Sequence, residues 1–155
     1  MAPPDDWYTG WPTGVLLGRA RQSYRTAVRA ALAEAGFDDL PRNGPYLIGG
    51  IVRTGKPLRE IITQLRVSKQ TAGQLVDTLV LRGYLERTVD SEDRRRITLT
   101  LNERGHAAAA VVRSAVDLVD ARLVERVGRE QFALTLATLA ALIDLASEAP
   151  DRNDA

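Results

Sequence analysis

The chain has no cysteine among its 155 residues, and only one histidine and one methionine. The first absence excludes disulfides, thiolate metal sites and any thiol-based redox switch. A single histidine leaves little for general acid–base chemistry. Aromatics make up 5% of the chain. Ala and Leu dominate the apolar set, which favours helices over a β-sandwich. No apolar run approaches the roughly 20 residues needed to cross a bilayer. The opening MAPPDDWYTG lacks the basic-plus-apolar pattern of a secretory leader. A cytoplasmic location without a membrane partner is expected. No Ser-His-Asp set, metal-ligand cluster or phosphate-cradling glycine loop is visible, so the chain reads as a non-enzyme with no metal or cofactor.

What is present supports one packed domain of ordinary size, with 45% hydrophobic and 26% charged residues. The net charge of +1 conceals an uneven distribution. Residues 53–96 hold ten Lys or Arg against six Asp or Glu, whereas residues 117–155 hold four against eight. A basic middle points to a charged face, although chance clustering also yields so small an excess.

Taken in order, residues 1–12 place Trp7, Tyr8 and Trp11 among prolines and a glycine, an irregular arm expected to pack on something, such as a partner subunit. Residues 13–35 carry an apolar stripe at helical spacing and end at Gly36. A second helix is expected over 45–53, with Pro45 in its first turn. Its paired Gly49 and Gly50 have two readings: close approach of another element (or room for a ligand), or simply a short, weak helix. A short helix over 58–65 is followed by Ser68, a good N-cap, and a helix over 69–82 ending at Gly83. Two short helices joined by about three residues form a helix-turn-helix.

Residues 84–89 read as a strand and 90–95 as a polar turn. Ile97, Leu99 and Leu101 alternate with Thr98 and Thr100 as a half-buried strand. Asn102 caps a long helix that runs to about residue 127. The helix after Gly128 has an apolar arc too wide for a lone surface helix, and a second copy of the chain is the economical cover.

The chemistry concentrates at two places. Ser68, Lys69, Gln70, Thr71 and Gln74 form the leading edge of the second short helix, the part that enters a major groove in a helix-turn-helix. Gln pairs with adenine, Ser and Thr with bases or phosphates, and Lys with phosphate or guanine. Gly73 lets the backbone come close. An ordinary solvated helix face fits the same residues. The second place is the hairpin tip, where Arg94 and Arg95 follow Asp93. A projecting arginine suits a narrow minor groove, and a carboxylate can orient it. The alternative is an exposed, salt-bridged loop of little energetic value.

The segments LREIITQLRVSKQTAGQLVDTLVLRGYLER at 58–87, DSEDRR at 90–95 and LNERG at 101–105 together resemble the MarR family of bacterial winged-helix regulators. The helix order of the whole chain follows the same plan. The resemblance implies a mainly α fold with a small two- or three-stranded β wing: a winged helix-turn-helix with N- and C-terminal dimerisation helices. One domain over 1–155 is expected, with 13–52 and 102–149 as dimerisation helices and 53–101 as the DNA-binding lobe, its wing at 84–101. The implied function is a homodimeric repressor on a palindromic site in double-stranded DNA, responsive to a small aromatic effector. By position, Ser68, Lys69, Gln70, Thr71 and Gln74 fall on the recognition surface and Arg94 and Arg95 on the wing. Tyr24, Arg42 and Tyr46 are the ligand candidates, with core packing the plainer role for the tyrosines. Gly73 and Gln74 stand where family members more often carry a larger polar residue and an arginine. Residues 41–50 lack the common Leu-Thr-x-x-Gln opening of the second helix. The competing function is a winged-helix protein–protein module with no specific DNA site.

Overall fold

A computed structural model describes residues 6–55, 58–65, 67–89 and 97–148. Six helices and two strands follow in the order α1 (Thr13–Glu34), α2 (Gly44–Thr54), α3 (Leu58–Gln64), α4 (Lys69–Leu81), β1 (Leu85–Val89), β2 (Ile97–Leu101), α5 (Glu103–Val127) and α6 (Arg129–Glu148). The strands pair antiparallel, from Leu85 opposite Leu101 to Val89 opposite Ile97. Among the described residues the sheet has two strands and no third. The chain divides within α5 into two compact units, Met1–Val116 and Asp117–Ala155.

The first unit holds a continuous apolar core. Leu47 and Ile48 of α2, Ile61 of α3, Leu79 of α4 and Ala108 of α5 are almost wholly buried within it. The paired glycines of α2 are close-approach positions. A Cβ on Gly49 would lie 3.2 Å from Val112 of α5, and one on Gly50 would lie 3.0 Å from Ile61 of α3. The helix accepts the cost of two glycines, about 1 kcal/mol each relative to alanine, because larger residues would push its neighbours away.

Helices α1 and α4 end in the same way. Gly36 and Gly83 adopt φ of 80° and 68°, a left-handed conformation that favours glycine. The following residues, Phe37 and Tyr84, then donate their amides back to Leu32 and Leu79 at 2.8 Å each. Tyr84 is therefore not part of the strand, as its apolar context predicted. It belongs to the end of α4, and β1 begins one residue later.

Apolar periodicity outruns burial in three places. Of the predicted α1 stripe, only Val28 and Leu32 near the C-terminal end are buried, while Val15 is exposed. Buried positions in α5 stop at Ala115, and Leu118 beyond it is exposed. In the second unit, Leu134, Leu136, Leu142, Ile143 and Leu145 of α6 are all exposed, up to 70% at Ile143. Trp7, Tyr8 and Trp11 are also exposed; Trp7 and Tyr8 stack edge to face, and Trp11 lies under the Arg19 guanidinium at 5.1 Å. Among the described residues, no helix is long and apolar enough to cross a membrane.

Candidate nucleic-acid interface

Helix α4 is built to present one face. Ser68 has extended backbone angles, and its hydroxyl accepts the Thr71 amide at 3.1 Å. Such a cap contributes about 1 kcal/mol. The Ser68 and Thr71 hydroxyls also bond each other at 2.8 Å. Both side chains therefore serve the helix start as well as any partner. Ala72, Leu75, Val76 and Leu79 point into the core. The helical repeat then turns Gln70, Gly73, Gln74, Asp77 and Leu81 outward, and all five are exposed. A Cβ on Gly73 would meet nothing within 4 Å. Lys69, also exposed, flanks that line. The structure thus gathers Gln70, Gln74 and Gly73 on the outermost line and sets Ser68 and Thr71 at its capped end.

Asp77 is the acid that α4 carries on this face. Arg87 of β1 donates to its Oδ1 at 2.6 Å, both side chains being largely exposed. An exposed pair adds little stability, but here it neutralises a carboxylate that would repel phosphate.

Beside α4 runs a groove of about 220 Å³ lined by Pro41, Arg42, Asn43, Thr71, Gln74, Leu75 and Thr78. The sequence groups Arg42 with Tyr24 and Tyr46 as effector contacts. The structure places Arg42 on the rim of this groove, beside the exposed line of α4. Neither tyrosine lines this groove or the second cavity, about 190 Å³, bounded by Arg29, Leu32, Ala33, Phe37, Asp38, Leu40 and Pro45. Tyr24 is half-buried on α1, Tyr46 is exposed in the first turn of α2, and His106 is exposed in the first turn of α5.

The wing is anchored by the expected Asn102 cap together with residues that the sequence did not mark as an anchor. Asn102 caps α5 by accepting the Gly105 amide at 2.9 Å. A Cβ on Gly105 would come within 2.1 Å of the Tyr84 carbonyl oxygen, so only glycine lets α5 pass beneath the start of the wing. Tyr84 is fully buried, and its hydroxyl donates to Asp39 Oδ1 in the α1–α2 connector. Arg104 donates to the same Asp39 oxygen at 3.0 Å and to the Arg82 carbonyl, while its guanidinium stacks on the Tyr84 ring at 4.3 Å. The Tyr84 hydrogen bond holds the Asp39 carboxyl below the usual carboxylate range; partial burial opposes it, and the Arg104 charge reinforces it. Burial first, then the Asp39 carboxylate, push the Tyr84 phenol up to about 12. Arg104 and Gly105 lie inside the LNERG motif, which marked them as a pattern but not as an anchor. Asp39 gave no signal at all.

The wing tip, with Arg94 and Arg95, lies outside the described residues. Among those described, no group of three or more acidic, His or Cys side chains is placed to hold a metal ion.

Residues 39–96 match the MarR family. No curated protein matches the chain by sequence. Several solved structures share its fold. The transcriptional repressor CouR bound to a 23-mer DNA duplex is 23% identical, with a TM-score of 0.67, 92% of this chain and 99% of that one being covered. The PcaV transcriptional regulator from Streptomyces coelicolor, in complex with its natural ligand, is 18% identical, with a TM-score of 0.63 and coverage of 94% and 99%. NadR in complex with 4-hydroxyphenylacetate is 22% identical, with a TM-score of 0.66 and coverage of 92% and 97%.

Proposed function

We propose that this chain, whose residues 39–96 match the MarR family, is a cytoplasmic, homodimeric repressor that reads a palindromic DNA site and releases it on binding a small aromatic effector. The observation that carries the DNA-binding reading is the outward line of α4. A Ser68-capped helix start presents Gln70, Gly73 and Gln74 to solvent beside an antiparallel hairpin. Lys69, Gln70 and Gln74 are assigned to base edges, and Ser68 and Thr71 to the groove wall. Arg94 and Arg95 are assigned to the adjacent minor groove.

The dimer is supported by the apolar surface left uncovered on α6 and on the outer part of α1, more than a solitary domain normally exposes. Residues 13–52 and 102–149 are assigned to that contact and 53–101 to the DNA-binding lobe. The effector is supported by the ligands held by PcaV and NadR. Tyr24, Arg42 and Tyr46 are its candidate contacts, Arg42 also bordering the groove beside α4.

Random-site selection with the purified protein, followed by binding titrations over a salt series, tests the whole reading. Enrichment of an inverted repeat with salt-sensitive affinity is expected. Failure to enrich any sequence, or unchanged DNA affinity in the Arg94→Ala/Arg95→Ala variant, would favour a protein–protein role instead.

A further inference from the structure

The groove between the α1–α2 connector and α4 shares Thr71 and Gln74 with the line assigned to DNA, while its connector side has no part in that reading so far. Its rim carries Arg42 and Asn43, and its floor is the flank of α4 at Thr71, Gln74 and Thr78. Its lining contains no acid among the described residues. The connector does contain two acids close to Arg42 in sequence, but both are committed elsewhere. Asp38 borders the other cavity, and Asp39 is held by Tyr84 and Arg104. Two of the floor hydroxyls are also spoken for, because Thr71 bonds Ser68 and Thr78 donates to the Gln74 carbonyl at 2.7 Å. What the groove offers an incoming ligand is the guanidinium of the exposed Arg42, flanked by the Asn43 and Gln74 amides.

A helix seated in a major groove about 12 Å wide nearly fills it. Side chains on elements beside that helix therefore meet the phosphates along the groove's edge rather than the bases. Arg42 stands in that position relative to Gln74. A guanidinium fits a phosphate with two parallel hydrogen bonds, and such charge-assisted bonds are the strong ones.

Resting on the repressor reading, we propose that Arg42 is a DNA-contacting residue: it clamps the backbone phosphate flanking the bases read by Gln74, and so sets the register of α4 in the groove. Neither connector acid lines the groove with this clamp, so Arg42 is the one charged group among its described lining residues.

The test compares wild-type protein with Arg42→Ala and Arg42→Lys by fluorescence anisotropy. Two duplexes of equal length are used, one carrying the selected site and one of random sequence, over a salt series. Thermal melts check that the fold is retained. Arg42→Ala is expected to weaken both duplexes alike, on the order of tenfold, as for the removal of one charge-assisted hydrogen bond. The slope of log affinity against log salt is expected to fall by about 0.9 for each phosphate that is no longer neutralised. Arg42→Lys is expected to restore the slope and only part of the affinity. Unchanged affinity and slope in Arg42→Ala overturn the proposal. So does a weakening confined to the selected site with the slope intact, which would make Arg42 a base reader. A wild-type protein that binds neither duplex sinks the repressor reading itself, and the phosphate clamp with it.

Discussion

Phe37 and Tyr84 hold equivalent positions at the ends of different helices, and their rings meet, with centroids 6.2 Å apart and planes tilted by 58°. Each follows a left-handed glycine and bonds back to the preceding turn. The two helix ends are thereby joined through their caps. The Asp39–Tyr84–Arg104 cluster closes the same corner with polar groups. The start of the wing is thus fixed to the α1–α2 connector by stacking on one side and by charge on the other.

A loss of stability at each end of the pH scale follows from that corner. Tyr84 titrates at about 12 in the folded chain against its ordinary 10.0. Its contribution is complete below pH 10 and is lost as pH rises through about 12. Asp39 titrates below its ordinary 3.8; its contribution is present above that value and is lost as pH falls through its lowered folded value. Tyr84→Phe is expected to remove the alkaline loss, to blunt the acid one, and to cost roughly 1–2 kcal/mol near neutrality. Denaturant titrations at a series of pH values measure all three.

Gly105→Ala is expected to destabilise the protein by on the order of 3 kcal/mol, because its Cβ would overlap a backbone oxygen that cannot swing aside. The comparison is Gly49→Ala, where the nearest atom is a Val112 methyl at 3.2 Å that can shift a little. Equal costs at the two positions, read from denaturant midpoints, would show that α5 simply moves away from Tyr84.

Gly73→Ala separates stability from binding. The position is open and helical, so alanine is expected to stabilise the fold by about 0.5–1 kcal/mol. The added methyl stands on the exposed line assigned to DNA, where it is expected to hold the backbone off the groove floor. A higher melting temperature with weaker binding to the selected site is the expected pair of results; tighter binding would mean that Gly73 has no part in close approach.

Ile143→Glu tests the self-association surface. Ile143 is 70% exposed in the single chain, so its replacement leaves the described core untouched. Sedimentation equilibrium is expected to show a shift from dimer to monomer, with loss of binding to the full inverted repeat. A variant that stays dimeric would move the interface off this face of α6.

Much of the architecture is legible because it rests on short-range rules. The Ser68 and Asn102 caps, the glycine stops at Gly36, Gly83 and Gly128, and the alternation in β2 each declare themselves within four residues. The elements accordingly fall within a residue or two of the bounds their sequence implies; α2 begins at Gly44 rather than Pro45, and α3 ends at Gln64 rather than Leu65. Long-range pairings are not legible. Asp39 and Tyr84 are 45 residues apart, and Asp39 and Arg104 are 65 apart. Neither has a periodicity that points to the other. Tyr84 reads as a strand residue because an aromatic beside Leu85 looks like the start of one; only its amide bond back to Leu79 shows that it finishes a helix. Arg42 joins the tyrosines as an effector candidate through the family resemblance, whereas its place beside α4 is decided by the fold.

The Tyr84 carbonyl lies against Gly105 and also accepts the Asn102 amide at 3.4 Å, and the pairing of Leu85 with Leu101 starts directly above it. The hairpin's footing is therefore settled before its first outward residue. A substitution at Tyr84, Asn102 or Gly105 is therefore felt at once by the base of the hairpin and by the start of α5, since one carbonyl oxygen serves both.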